Sequence, residues 1–248
     1  MPQTPQKTWV EISKSALLHN AKSLKALVKP AQYMAVVKAN AYGHGLKEVS
    51  GILKTTADWY GVDRLDEALE LRKMGIKQPI LVLGYVFPET LRQCVQQHIS
   101  VVVYHEEILR EARRWGGQRG TLKIHLKIET GTTRQGLQGE ALIRLAKAAA
   151  AIPSINIEGA YTHFANIEDT SDPSYAMKQL MRFREELDTL ARFGIRPNVL
   201  HTASSAASLL YPETCFDLVR PGIALYGHWP SRETQLVARK KKASVELK

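Results

Sequence analysis

The segment Trp59–Met74 reads WYGVDRLDEALELRKM. Its opening, Trp59–Val62, is aromatic and β-branched, the composition of a short strand. After a charged break, Asp66–Met74 places apolar residues at helical spacing, so a helix follows the strand. The same pairing recurs along the chain. Apolar, β-branched-rich runs stand at Tyr33–Lys38, Ile80–Gly84, Ser100–Tyr104, Leu122–Ile128, Ile157–His163, Val199–Thr202 and Leu218–Tyr226. Helical patterns occupy Pro88–His98, Glu106–Trp115, Glu140–Ala151 and Tyr175–Phe193, with apolar positions such as Leu180, Phe183 and Leu187 on one face. Strands that alternate with helices imply right-handed βαβ units and a parallel sheet. Eight strands predict an α/β fold closed into a (β/α)8 TIM-like barrel. The helical pattern Ser15–Val28, ahead of the first strand, completes the outer ring where no helix follows the eighth. An open doubly wound sheet is the competing architecture, but no G-x-G-x-x-G opens a helix here.

The length of 248 residues suits one such barrel. With 44% hydrophobic and 23% charged residues, wholesale disorder is excluded. No apolar run approaches the ~18 residues of a membrane span. Met1–Lys7 is polar and lacks the apolar core of a secretory signal. Cys94 and Cys215 form no C-x-x-C pair and read as reduced thiols of a cytoplasmic protein. The net charge is +10, of which +4 falls in residues 231–248. The remainder lies on no basic helix face, so the excess points to a solvated tail and an anionic small molecule rather than nucleic acid. The expected organisation is a barrel over residues 1–230 and a basic tail, poorly ordered or a stray strand, over residues 231–248.

In a barrel of this kind chemistry sits at the C-terminal ends of the strands. Those ends carry Lys38 with Tyr42, Arg134, His163, Ser204 with Ser205, and Arg220 with Gly222. Any one alone is ordinary polar termination of a strand; together they point to a common site. The sharpest segment is Met34–Gly45, MAVVKANAYGHG. A lysine closing an apolar run is costly without a partner. Facing the barrel mouth beside other cations, Lys38 is suited to Schiff-base formation and then to proton abstraction. No histidine, cysteine or carboxylate group has metal-ligand spacing, so no catalytic metal is expected.

The segment AVVKANAYGHG resembles the pyridoxal-phosphate lysine segment of the alanine racemase family. TWVEIS (Thr8–Ser13), DEALELRKMGI (Asp66–Ile76), KIETGTTRQG (Lys127–Gly136), EGAYTHFA (Glu158–Ala165), HTASSAA (His201–Ala207) and VRPGIALYG (Val219–Gly227) resemble further family segments in the same order. The resemblance implies a cytoplasmic, pyridoxal 5'-phosphate-dependent isomerase that interconverts L-alanine and D-alanine and supplies D-alanine to the cell-wall peptidoglycan. It matches Lys38 to the lysine that holds the cofactor and moves the α-proton on one face, that of the D-enantiomer. Tyr42, Ser205, Gly222 and Ile223 match positions around the cofactor phosphate. Arg220 matches the residue facing the pyridine nitrogen, where a permanently protonated guanidinium donates without surrendering its proton. His163 matches a histidine beside the ring, joining the hydrogen bonds around Arg220. Arg134 matches the arginine that contacts the cofactor's phenolic oxygen and the substrate carboxylate. Lys127 matches a lysine carbamylated in many family members, which as an anion would hold Arg134.

The chain departs from the family pattern at Glu129, usually aspartate, at Thr132-Thr133, usually Met-Gly, and at Ser204, often asparagine. His44 and His201 lie in matched segments and are expected either to support the site residues from behind or to be structural. The resemblance also implies a C-terminal β-domain, which donates a tyrosine, the second acid/base, to the partner's site in a head-to-tail homodimer. LVARKKKASVELK stands where that domain would begin, so the chain is expected to be the barrel part of such a protein, weak or inactive as a racemase alone. The competing functions are a non-enzymatic single-barrel pyridoxal-phosphate homeostasis protein, a serine racemase of the same family, and an aldolase or decarboxylase on the same barrel.

Overall fold

The computed structural model describes residues 7–115, 120–169, 171–240 and 246–248. Eight parallel strands form one sheet: β1 (Gln32–Val36), β2 (Trp59–Val62), β3 (Ile80–Val82), β4 (Ile99–Val103), β5 (Leu122–Lys127), β6 (Ile155–Tyr161), β7 (Val199–His201) and β8 (Leu218–Val219). Consecutive strands pair from β1 to β7, and β8 pairs with β1. Between β7 and β8 the gap is closed by Asp217 N–H donating to Leu200 O at 3.0 Å and Arg220 N–H to Ala203 O at 2.9 Å. The result is the expected barrel, ringed by helices.

Strand alternation divides the core in two. On β1, Tyr33 and Ala35, followed by Val37 just past its end, pack in the large cluster shared with the helices, while Met34 and Val36 join Trp59, Leu81, Val102 and Leu218 in the smaller cluster inside the barrel. On β5, Leu122, Ile124 and Leu126 face the helix layer. The intervening Lys123, His125 and Lys127 therefore point inward, so half the interior is apolar and half is charged or polar. Buried polar groups need partners to avoid a desolvation cost, and these become the site and its support.

The outer ring begins with α1 (Lys14–Leu27), capped by Ser13 Oγ accepting Ala16 N–H at 3.3 Å. It packs on β1 and on the 3-10 turn Ile223–Tyr226 after β8, the place the sequence assigned to it. A short α2 (Lys38–Tyr42) follows β1; then come α3 (Leu46–Leu53), α4 (Leu65–Lys73), α5 (Leu91–Gln96), α6 (Glu107–Arg113), α7 (Gly139–Ala150), α8 (Ser174–Arg192) and α9 (Ser205–Leu210).

Two expectations are corrected. The eighth strand ends at Val219 rather than Tyr226. Pro221 has no N–H for a ladder, and the chain turns at Gly222 into the 3-10 segment. The second concerns the tail: residues 232–240 form a helix, α10 (Arg232–Lys240), not a disordered or stray strand. Ser231 Oγ caps it by accepting Thr234 N–H at 2.9 Å, Thr234 Oγ1 donates to Glu168 O at 3.1 Å, and Ala238 is buried. Counting charge hid the Ser231 cap and the one apolar face. Residues 241–245 of the expected tail, and 1–6 at the other end, lie outside the described residues.

Candidate active site

A cavity of about 540 Å³ opens at the C-terminal ends of the strands. Lys38, Tyr42, Lys127, Arg134, His163, Ser205, Arg220, Gly222 and Ile223 all line it. The structure thus brings together every residue singled out from sequence. It adds Gln135 and Tyr161, which lie in quoted family motifs but were given no role, and Asp63 and Glu168, which lie in none.

Lys38 is carried by an unusual turn. Ala39, Asn40, Ala41 and Tyr42 all have φ between 51° and 55°, a left-handed helical turn built of non-glycine residues. Each such residue costs roughly 1–2 kcal/mol, so the turn persists only because its surroundings impose it. Glu67, buried in α4, accepts Asn40 N–H through Oε1 at 3.1 Å. Its Oε2 accepts Asp63 N–H at 3.0 Å and Arg64 N–H at 3.2 Å. Asn40 Oδ1 in turn accepts Leu46 N–H at 2.8 Å, leading into α3. From the other side Tyr226 donates to Val36 O at 3.0 Å and stacks on His44 at 4.6 Å.

Arg220 is buried, and burial lowers its pKa to about 10, still well above neutrality. It donates Nη1–H to His201 Nδ1 at 2.7 Å and Nη2–H to Thr162 O at 2.8 Å and Thr202 O at 3.1 Å. Its histidine partner is therefore His201, not His163. The Tyr161 ring lies beneath the guanidinium at 5.0 Å and stacks flat on His201 at 4.7 Å. His163 forms part of the cavity wall; desolvation first, then Arg220, Lys127, Arg134 and Lys38, push its pKa down to about 3, so it is neutral.

Lys127 is buried, its Nζ 4.2 Å over the Tyr161 ring. Desolvation, reinforced by Arg220 and Arg134 and only partly opposed by Glu129, holds its pKa well below the usual lysine range. Arg134 is exposed at the cavity rim. Its loop is organised by the departures seen in sequence. Glu129 Oε1 accepts the N–H groups of Gly131 and Thr132, and these backbone bonds outweigh desolvation to keep the carboxyl ionised below its ordinary range. Thr133 has φ 51°, a left-handed conformation that a β-branched residue adopts only under constraint.

On the far wall Ser205 Oγ accepts Gly222 N–H at 2.9 Å and Ala224 N–H at 3.3 Å, tying the start of α9 to the turn after β8. A Cβ on Gly222 would lie 2.4 Å from the Tyr42 hydroxyl oxygen, so the glycine lets Tyr42 close over this corner.

Residues 12–230 match the family model for the alanine racemase N-terminal domain. The chain is 43% identical over 227 residues to the alanine racemase of Methanococcus maripaludis, covering 90% of this chain and 61% of that one. A solved alanine racemase from Bacillus anthracis, with bound L-Ala-P, superposes with a TM-score of 0.90 at 36% identity, covering 99% of this chain and 63% of that one. A histidine racemase from Leuconostoc mesenteroides superposes with a TM-score of 0.81 at 34% identity, covering 88% of this chain and 58% of that one. The chain therefore spans about 60% of the length of the relatives it matches. Its barrel, its motif order and these likenesses agree: the chain belongs to the alanine racemase family, as its N-terminal domain.

Proposed function

We propose that this chain is the cofactor-binding barrel of a pyridoxal-phosphate-dependent alanine racemase. The observation that carries this is the convergence of Lys38, Arg134 and Arg220, from the ends of β1, β5 and β8, on one cavity. Against them stand only the acidic wall residues Asp63 and Glu168, so the cavity suits an anionic ligand. The residues present fit pyridoxal phosphate: an amine at Lys38, hydroxyls of Ser205 and Tyr42 meeting the Gly222–Ile223 backbone at one corner of the cavity, and a buried cationic donor at Arg220. When bound, the cofactor supplies an aldehyde for attachment and an electron-withdrawing ring that acidifies the substrate's α-C–H.

The protein's part follows from its own groups. Lys38 is the attachment amine and, once freed, takes or returns the α-proton on one face. Arg220 stays protonated and would offer the bound ring's nitrogen a donor that does not give up its proton, limiting the charge the ring accepts and guarding against side reactions. His163, a neutral imidazole in the cavity wall, would lie beside the bound ring. Arg134 offers forked donors to a carboxylate. Lys127, whose charged form burial disfavours, would in its neutral form be a nucleophile for CO2: a C–N bond forms, one proton leaves, and a carbamate anion stands near Arg134 and Arg220. Carbon-13 NMR of protein equilibrated with labelled bicarbonate should show a carbamate signal that K127A lacks.

Reduction with borohydride after adding pyridoxal phosphate should leave the cofactor's mass on the Lys38 peptide. Labelling elsewhere, or none, defeats the proposal; labelling without any exchange of alanine's α-proton favours a cofactor-carrying protein instead. The likeness to a histidine racemase supports one second reading, a racemase acting on another amino acid. Proton exchange compared across D-alanine, D-serine and D-histidine separates the two. As further parts of the proposal, residues 231–248 lead into a second β-domain, the longer protein pairs head to tail, and the activity supplies D-alanine for the cell wall. A cytoplasmic site is supported by the free thiols of Cys94 and Cys215. Among the described residues no helix is long and apolar enough to cross a membrane.

A further inference from the structure

The polar half of the barrel interior holds an unbroken hydrogen-bonded line. Arg220 Nη1 lies 2.7 Å from His201 Nδ1, His201 Nε2 lies 2.8 Å from His125 Nδ1, and His125 Nε2 lies 3.2 Å from Glu158 Oε2. The line starts at the cavity wall and runs down the barrel axis, away from the strand ends. His125 and His201 are fully buried. Glu158 is anchored by Ser100 Oγ–H at 2.5 Å and by Lys123 Nζ–H at 2.7 Å.

Proton counting fixes the direction of every bond. A guanidinium has no acceptor, so His201 Nδ1 must carry a lone pair. A neutral His201 then has its proton on Nε2 and donates to His125 Nδ1. That nitrogen must also be bare, so His125 carries its proton on Nε2 and donates to Glu158. Neither ring can be an imidazolium without setting two N–H groups against each other. Burial, the largest influence on both rings, disfavours the charged form in the same sense.

Space around the line is as constrained as its protons. A Cβ at Gly159 would fall 2.3 Å from His125 Nδ1, so only glycine at that position leaves His125 its place. Trp59 meets His125 edge-on at 5.8 Å, and Tyr161 stacks on His201 with an interplanar angle of 2°. Nothing about cofactor or substrate contact requires two neutral histidines in series at this depth. Their arrangement does join a buried cation to a largely but not fully buried carboxylate across the barrel.

We propose that Glu158 is a positioning residue for Arg220, acting through His125 and His201 as two neutral Nε2–H tautomers that orient the guanidinium toward the cavity. Glu158 does not line the cavity. Its carboxylate sets the polarity of the line, so that His201 always presents a lone pair to Arg220, and three of the arginine's N–H groups are held on the inner side. The importance of this orientation for the ring nitrogen rests on the proposed cofactor reading; the tautomers do not.

The experiment has two arms. In the first, the 248-residue chain without cofactor is labelled with nitrogen-15 histidine. Wild type should show bare Nδ1 and protonated Nε2 on both His125 and His201 at neutral pH. E158Q, which keeps the shape but not the charge, should move the His125 Nε2–H resonance and, through it, that of His201. An imidazolium or an Nδ1–H on either ring, or a His201 resonance unmoved in folded E158Q, overturns the proposal. The second arm measures the dissociation constant of pyridoxal phosphate in a double-mutant cycle. E158Q should weaken binding by roughly tenfold in the wild-type background and by little when Arg220→Ala is already present. Equal losses in both backgrounds mean that Glu158 does not act through Arg220. If no variant binds the cofactor, the cofactor reading fails and the first arm alone decides the proposal.

Discussion

Replacing Glu67 tests how much of the site's geometry is imposed from outside it. The left-handed turn Ala39–Tyr42 stores roughly 4–8 kcal/mol of backbone strain if each of its four residues costs about 1–2. Glu67 holds that turn to the start of α4 with one carboxylate oxygen on Asn40 N–H and the other on Asp63 and Arg64 N–H. Net, a charge-assisted hydrogen bond is worth about 1.5–3 kcal/mol, but Asn40 is exposed and water will replace part of the loss. E67A should therefore cost about 3 kcal/mol, a fall in Tm of roughly 6–12 °C for a chain of this size. E67Q keeps the shape but must turn its amide N–H toward one of the donors, for about half that cost. Because the turn carries Lys38, E67Q should also slow borohydride trapping of pyridoxal phosphate on Lys38 while leaving the chain folded. Thermal unfolding and peptide mass analysis of the trapped product measure both effects. An E67Q protein with unchanged Tm and unchanged trapping would refute the idea that Glu67 imposes the turn.

Other outcomes follow from single features. Thr133 sits at φ 51°, so T133G should relieve strain and stabilise the chain by up to about 1 kcal/mol after glycine's own entropic cost, read from the urea midpoint. Glu158 has a folded pKa of about 2 against an ordinary 4.5, because hydrogen bonds from His125, Lys123 and Ser100 outweigh desolvation. A depressed carboxyl contributes stability above its unfolded pKa and loses it as pH falls through the folded one. Up to about 3 kcal/mol should therefore disappear between pH 4.5 and 2, and E158Q should flatten that part of the stability profile. Lys38 serves one face of the substrate, and a positioned acid/base is worth roughly 10²–10⁴ in rate. The 248-residue chain should accordingly exchange the α-proton of D-alanine faster than it interconverts the enantiomers; deuterium uptake measured beside chiral analysis checks this, and equal rates would place a second base within these residues.

The limits of sequence reading show at particular residues. Lys38 and Arg220 were legible because a charge that ends an apolar run is chemically conspicuous; Arg134, six residues past Ile128 in a polar loop, was legible through its family motif, and the motifs assigned each a role. His201 was legible only as a motif letter, expected to support a site residue or to be structural; which residue it supports, Arg220, came only from the structure. His125 and Glu158 were each part of a strand pattern, 33 residues apart, and no spacing rule connects them. Glu67 read as a charged helix residue, yet it is buried and bonded to three backbone groups outside the interior of its helix.

By itself the sequence determined the barrel, because strand composition and helical periodicity are local and repeat eight times along the chain. It also determined which strand ends carry cations, since a charge in an apolar run is visible without coordinates. Only the tertiary structure decided where β8 stops, that residues 232–240 fold as a helix, and which buried groups face one another across the barrel. Those outcomes depend on closure. When β8 meets β1, the inward residues of distant strands share one low-dielectric interior, and each buried donor must find its acceptor there. Arg220, His201, His125 and Glu158 come from four strands or strand ends. Their order as a line is a property of the closed barrel and of no segment within it.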